Sequence, residues 1–385
     1  MTDLLRRLDR VHPRYMPAVA ADVLGALPGV DDVRLLLLDQ EGLVLLPFHG
    51  GTDGGIDVAS SAAGSAVTAR EPVLEPVSGS TVVVHIGLRV RVETVGVLSV
   101  TCTEEPSSGA LVAASTLTRL GEAAHELAYA IVGSGAWSDH VPVARRARPM
   151  TLPAELQWSN LPLQALEGDR FSVAGKVLPT YEVGGDLFDI SWGPRGPWVS
   201  VADAVGHGLR SSLLAHAAIG TTRHARRCGL DVVGQAEMAD RTLVEQWGGL
   251  DYVTALLGEL DLDDGVFRWV NAGHPPPLLL RGGSLELLAR PTRRPLGLLG
   301  PNSYVVHELE VRPKDRLVLV SDGMSEARRM GDPRGPFGPD RLQGALLGAA
   351  AEPATEAVRD AVRVVDDWTS GKPRDDATIV LLDIV

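Results

Sequence analysis

Apolar residues recur along the chain with two different periods. Residues 33–46 (VRLLLLDQEGLVLL) form two apolar runs around Asp39-Gln40-Glu41-Gly42, a turn cluster whose glycine accepts positive φ, and they predict a β-hairpin. Residues 60–69 predict a short helix of small residues closed by Arg70-Glu71-Pro72, and the runs VVVHI and VGVLSV within 81–101 predict strands. Over 110–132 the apolar positions Ala113, Leu117, Leu120, Ala124, Leu127 and Ile131 are spaced alternately four and three apart, a heptad stripe along one helix. Such a stripe either packs on its own domain's sheet or makes a seam with a second copy, so a homodimer is one expectation. Residues 133–148 (GSGAWSDHVPVARRAR) carry the Gly, Ser, Pro and Arg punctuation of a connection. The predicted organisation is a first domain over 1–132, a linker over 133–149 and a second domain over 150–385.

The second domain opens with Met150–Leu161, which predicts a short amphipathic helix with Thr151 as N-cap and Pro153 in its first turn. Strands follow over 171–178, 187–192 and 198–202, then two helices at about 208–227 and 235–247. Further strands are expected over 253–260, 266–271, 277–281, 285–289, 304–311 and 316–321, then helices over 339–350 and 354–369 and a last strand over 377–384. Blocks of hairpins separated by helix pairs argue for stacked antiparallel sheets with helices outside, an α+β architecture.

Length and charge narrow the function classes. At 385 residues the chain is too long for one ordinary core, and with 45% hydrophobic and 22% charged residues it folds as a globular protein. Net charge is 36 − 49 = −13, shared as 12 − 17 = −5 over 1–148 and 24 − 32 = −8 beyond. Nucleic acid and anionic membrane both need a basic footprint and are excluded as expected partners. Cys102 and Cys228 are too few for a disulfide framework, and neither a signal peptide nor an apolar run of membrane-spanning length is read, so a cytoplasmic location is expected.

Candidate chemistry lies in four aspartates at strand ends, each beside a small or turn-prone residue: Gly184-Gly185-Asp186, Ala202-Asp203-Ala204, Ser321-Asp322-Gly323 and Arg374-Asp375-Asp376. One such Asp is ordinarily a turn or cap residue. Carboxylates carried together out of buried strands are costly unless a cation neutralises them, and an all-oxygen donor set selects Mg²⁺ or Mn²⁺. Two such ions sharing a bridging carboxylate would suit phosphoester hydrolysis. Gly206-His207-Gly208 leaves a strand for a helix, where oriented N–H groups favour anions, and Asn271-Ala-Gly-His274 is a second exit of this kind.

Residues from about 150 to 385 resemble the PPM-type, metal-dependent serine/threonine protein phosphatases, in the branch named for SpoIIE and including RsbU-like regulators. The resemblance rests on Val183-Gly-Gly-Asp-Leu-Phe-Asp189, Val201-Ala-Asp-Ala-Val-Gly-His-Gly208, Tyr252-Val-Thr-Ala-Leu256, Val270-Asn-Ala-Gly-His-Pro-Pro276, Pro295-Leu-Gly297, Leu319-Val-Ser-Asp-Gly-Met-Ser-Glu-Ala327 and Asp375-Asp-Ala-Thr-Ile-Val380. It implies an α-β-β-α sandwich with two Mn²⁺ or Mg²⁺ ions between the sheets. By the same resemblance Asp186, Asp203 and the Ala204 carbonyl hold one ion, Asp203, Asp322 and Asp375 hold the other, and Asp203 bridges. Gly185, Asp189, Asn271, Gly323 and Asp376 are expected in supporting positions, and His207, His274 or a metal-bound water are the candidates for protonating the leaving group.

Residues 1 to about 132 resemble a smaller α/β GAF-type sensory domain, on the strand pair, Gly64-Ser-Ala-Val, Glu71-Pro-Val-Leu and VGVLSV. The combined resemblance implies a phosphatase acting on phosphoserine or phosphothreonine of a STAS-type anti-sigma factor antagonist, controlled by a small-molecule or protein signal at the first domain. Helix 150–161 is similar to a regulatory helix, with Leu156 and Trp158 expected to pack on the catalytic core. A non-catalytic sensor or scaffold for the same partner is the alternative. A cyclic-dinucleotide synthase, suggested by Gly184-Gly-Asp-Leu-Phe, is disfavoured because it leaves the other three Asp motifs unused.

Overall fold

The computed structural model describes residues 3–50, 54–103, 112–178, 184–299, 302–328, 335–370 and 375–385. It divides into two compact units, Met1–Pro149 and Met150–Val385. The first contains helices α1 (Asp3–Leu8) and α2 (Met16–Leu24), strands β1 (Val30–Leu38), β2 (Val44–Pro47) and β3 (Ile56–Asp57), and helix α3 (Ala62–Ser65). Strands β4 (Val73–Ser78), β5 (Thr81–Val90) and β6 (Glu93–Thr103) and helices α4 (Ala114–Ser134) and α5 (His140–Ala144) complete it. Its six strands form one antiparallel sheet in the order β3-β2-β1-β6-β5-β4. The predicted hairpin is β1–β2, where the Asp39 carboxylate accepts from the backbone N–H groups of Leu43 and Val44 at 2.8 and 2.9 Å and Gly42 has φ 76°. Leu35 and Leu37 face one core while Leu36 and Leu38 face a second under α3, so the unbroken apolar run covers both faces of the strand.

Two expectations change in this unit. From Leu117 onward the heptad stripe packs on its own core: Leu120, Ala124, Leu127 and Ile131 are at most 2% exposed and Leu117 packs against the same cluster, while Ala113 at the start of the stripe is exposed. A seam for a homodimer is therefore not available on that face; residues 110 and 111 of the stripe region lie outside the described residues. The expected linker carries α5, whose Val141 and Ala144 join the first unit's core from positions three apart on one helix face. Among the described residues no helix is long and apolar enough to cross a membrane.

The second unit begins with α6 (Leu152–Asn160), β7 (Ala165–Gly168), β8 (Phe171–Leu178), β9 (Asp186–Trp192) and β10 (Pro197–Ala204). Helices α7 (Leu209–Arg227) and α8 (Val232–Trp247) precede β11 (Val253–Asp261), β12 (Val266–Ala272), β13 (Leu278–Arg281), β14 (Ser284–Leu287), β15 (His307–Glu310) and β16 (Arg316–Val320). Then come α9 (Gly323–Glu326), α10 (Pro339–Gly348), α11 (Ala354–Thr369) and β17 (Ala377–Ile384). The strands make two antiparallel sheets, β15-β12-β11-β10-β9 and β14-β13-β16-β17-β8-β7. Phe188, Val201, Leu256, Phe267 and Trp269 of one sheet share a core with Val173, Leu317, Leu319, Val380 and Leu382 of the other. Helices α7 and α8 cover the first sheet's outer face through Leu214, Ala218, Ala236 and Leu243. This is the α+β sandwich that the hairpin blocks predicted.

Candidate metal centre

The period of two along each strand places the acids. On the first sheet Phe188, Val201 and Leu256 stand opposite one another on the interior face, and the next row on that face is Asp186, Asp203 and Thr254. The apolar interior thus ends, two residues further on, in a polar row. On the second sheet the interior positions Leu317 and Leu319 continue to Ser321, and Leu382 and Val380 continue to Thr378 and Asp376. Both sheets deliver polar groups to the same end of the sandwich.

Asp186 is the buried centre of this end, 2% exposed. Its Oδ2 accepts from Thr378 Oγ1 at 2.7 Å, and its backbone N–H and that of Gly185 donate to Asp376 Oδ2 at 2.9 and 2.6 Å. Ser321 supplies a further hydrogen bond to the Asp186 carboxyl and receives the Thr378 N–H at 2.9 Å. Asp203 is half-buried, while Asp322 and Asp375 are exposed at the mouth, so the carboxylates grade from interior to solvent. Gly323 lets this geometry close, since a Cβ there would lie 1.8 Å from the Asp376 carbonyl oxygen.

Charge is strongly out of balance here. Burial, and then Asp186, Asp322 and Asp375, push the Asp203 carboxyl up to about 9. Burial also raises Asp186 to about 6 against the hydrogen bonds of Ser321 and Thr378. Asp375 is raised first by burial and further by Asp322, with exposed His207 pulling the other way. Among the described residues no three acidic or histidine side chains are already gathered into ligand geometry. Asp203 and Asp186 share a hydrogen bond between their carboxyl groups, and an all-oxygen, acidic donor set of this kind fits a hard divalent cation. Asp186, Asp203, Asp322 and Asp375 are the carboxylates that could hold it.

Several expected residues have other positions or roles. Asp189 lies on the opposite face of β9, because it is three positions, an odd offset, beyond Asp186. There it accepts from Arg223 Nε at 2.9 Å and pairs with Arg226 at 2.9 Å, all three groups being largely buried. Asp189→Ala is therefore expected to cost about 3 kcal/mol of unfolding free energy in urea melts, by leaving two buried arginines unpaired, and to leave divalent-cation affinity unchanged. Asn271 builds a turn: its Oδ1 accepts from the His274 N–H at 2.9 Å and its Nδ2 donates to the His274 carbonyl at 2.8 Å. His274 is 4% exposed and burial pushes its ring down to about 4, so it does not present a proton to an incoming substrate. His207 is exposed. Val183, the first residue of one motif, lies outside the described residues.

Helix α6 forms as expected, with Thr151 Oγ1 accepting the Ala154 N–H at 3.4 Å, but its packing face differs. Leu152 is 59% exposed and Leu156 and Trp158 are half-buried, whereas Ala154 and Gln157 are completely buried. Gln157 Nε2 donates to the Asp186 carbonyl at 2.7 Å. The helix is also tied to α7, by Ser212 Oγ to the Pro153 carbonyl at 3.3 Å and by Arg223 to Asn160. Gln157, Ser321 and Thr378 were not among the expected site residues. Period-two alternation from Leu319 and Val380 would have found Ser321 and Thr378; nothing local marks Gln157.

Residues 194–385 match the family model described as stage II sporulation protein E (SpoIIE). Phosphoserine phosphatase RsbP of Bacillus subtilis (strain 168) is 24% identical over 184 residues, covering 46% of this chain and 45% of that protein. Stage II sporulation protein E of the same organism is 21% identical over 203 residues, covering 52% of this chain and 24% of that protein. The chain thus spans less than half the length of either relative. Among solved structures, the SiaA PP2C domain of Pseudomonas aeruginosa has a TM-score of 0.52 at 23% identity, covering 60% of this chain and 94% of that one, which shows a PP2C-type fold.

Proposed function

Residues 194–385 belong to the SpoIIE family of PPM-type phosphatase domains, and from that premise we propose that the chain is a metal-dependent serine/threonine phosphoprotein phosphatase. The observation that carries the proposal is the meeting of Asp186 and Asp203 from one sheet with Asp322 and Asp375 from the other at an open end of the sandwich. Two Mg²⁺ or Mn²⁺ ions held there would supply a water activated near neutral pH and positive charge against the phosphoryl oxygens. Asp186 is fixed by Ser321, Thr378 and Gln157, so the inner half of the site is pre-organised. Asp322 and Asp375 at the solvent edge leave room for a phosphoserine carried on a folded protein. Exposed His207, close enough to Asp375 to lower its proton affinity, is the residue placed to protonate the departing serine oxygen.

The substrate class follows from the resemblance: a phosphoserine or phosphothreonine on a STAS-type anti-sigma factor antagonist. The relative RsbP is a phosphoserine phosphatase, which supports the phosphoserine half of that reading. The first unit is α/β and is read as a GAF-like sensor whose signal reaches the site through α6, with Gln157 added to Leu156 and Trp158 as the residues that carry it. Turnover of para-nitrophenyl phosphate is expected to stop in excess chelator and to return with Mn²⁺ or Mg²⁺. Undiminished turnover by metal-stripped protein would leave the non-catalytic scaffold as the better reading.

A further inference from the structure

We propose that His274 is a positioning residue that couples the two acid-bearing sheets, its Nε2–H closing onto the Val320 carbonyl when a divalent cation is bound. The inference rests on the two-sheet metal site proposed above.

The ring touches each sheet beside the acids. Its Nδ1 is 2.8 Å from Thr254 Oγ1, and Thr254 stands directly across from Asp203 in the β10–β11 ladder. On the other side the backbone group that favours a proton on the ring belongs to Val320, the last residue of β16 and two before Asp322. The main chain of His274 is clasped at both its N–H and its carbonyl by Asn271, so the ring has little freedom to move away. Burial keeps the ring neutral at physiological pH, with one N–H. With Thr254 Oγ1 taken as donor to Nδ1, that N–H is on Nε2, facing the carbonyl side of Val320.

Yet Nε2 makes no hydrogen bond of ordinary geometry, although it is buried. An unpaired N–H of this kind is costly, and a small approach of β16 would satisfy it. Asp186 and Asp203 lie on the sheet that holds Thr254, and Asp322 follows the strand that ends at Val320. In this proposal an ion that binds Asp322 together with Asp186 and Asp203 holds the end of β16 against the sheet that carries Thr254, and so tightens the contact between Nε2–H and the Val320 carbonyl. Closure of that buried bond then adds to ion affinity, by a factor of about ten. His274 thereby acts through the spacing of the ligands and without touching substrate.

The test is calorimetric titration of Mg²⁺ into the full chain and its variants, with the imidazole N–H followed by nuclear magnetic resonance. His274→Ala is expected to weaken Mg²⁺ binding about tenfold, and His274→Gln, which restores a donor toward Val320, to recover part of the loss. In the wild type the Nε2 proton should become protected from solvent exchange as Mg²⁺ is added. Should His274→Ala fail to fold, Thr254→Val, which releases Nδ1, is expected to weaken binding in the same direction. Wild-type Mg²⁺ binding with unchanged affinity in these variants, or an Nε2 proton indifferent to Mg²⁺, overturns this inference alone. No Mg²⁺ binding by the wild type overturns the metal site as well.

Discussion

Asp203→Asn is expected to reduce turnover of para-nitrophenyl phosphate by about a thousandfold, a loss of about 4 kcal/mol in transition-state stabilisation. Asp203 lies between Asp186 and Thr254 in the polar row and is repelled by Asp186, Asp322 and Asp375, so it is the carboxylate with most to gain from a shared cation. Asparagine keeps its size and loses its charge. Fold stability should respond in the opposite sense. The folded, metal-free chain holds a proton on Asp203 up to about pH 9, while the unfolded chain releases it near 3.8, so wild-type stability falls as pH rises through that window. The amide has no such dependence, and metal-free Asp203→Asn should melt at or above the wild type at pH 8. Retention of more than about a tenth of the rate, equivalent to about 1.4 kcal/mol, would refute the assignment.

Gln157→Ala is the second large effect. The amide is completely buried and its donor bond to the Asp186 carbonyl at 2.7 Å joins α6 to the innermost acid. Truncation leaves that carbonyl short of a partner, a cost of about 1–3 kcal/mol concentrated at the strand end that bears Asp186. Turnover and Mg²⁺ affinity are expected to drop about tenfold or more, with only a few degrees' change in thermal midpoint. Leu156→Ala and Trp158→Ala, at half-buried positions, should do less to ion affinity. Calorimetry and thermal melts on the three variants decide between a helix that sets the acid's position and one that merely caps the core. Equal, proportionate losses of stability and affinity in all three would favour the cap.

What could be read from sequence was whatever a short window determines. Turn chemistry around Asp39 and Gly42 located the first hairpin, and an apolar run ending in Asp located Asp186, Asp203, Asp322 and Asp375. The failures all depend on what a face meets. Leu120, Ala124, Leu127 and Ile131 have the spacing of a seam, but that spacing equally suits a helix lying on its own sheet. Asp189 carries the same charge as Asp186 and lies in the same motif, yet an odd offset along β9 turns it to the arginines of α7. Gln157 looks like a solvent residue until α6 is laid against β9. The helices α1 and α2 escaped notice because arginines and prolines interrupt their apolar positions, although Leu4, Leu8, Met16 and Ala20 are buried.

The position of β17 has a consequence for how the second unit comes into being. That strand lies between β16 and β8, and its Thr378 binds Asp186 across 192 residues of chain. During synthesis β8 and β9 emerge long before the strand that separates β8 from β16 and completes the acid's hydrogen bonds. Contacts of such separation form late and slowly, because a long loop must be closed before they contribute. The growing polypeptide therefore passes through a stage in which one sheet lacks an inner strand and Asp186 lacks its hydrogen bonds to Thr378 and Asp376. Such an intermediate would expose apolar strand faces to aggregation and to chaperones, and the polar end of the sandwich would be complete only once residues 377–384 dock.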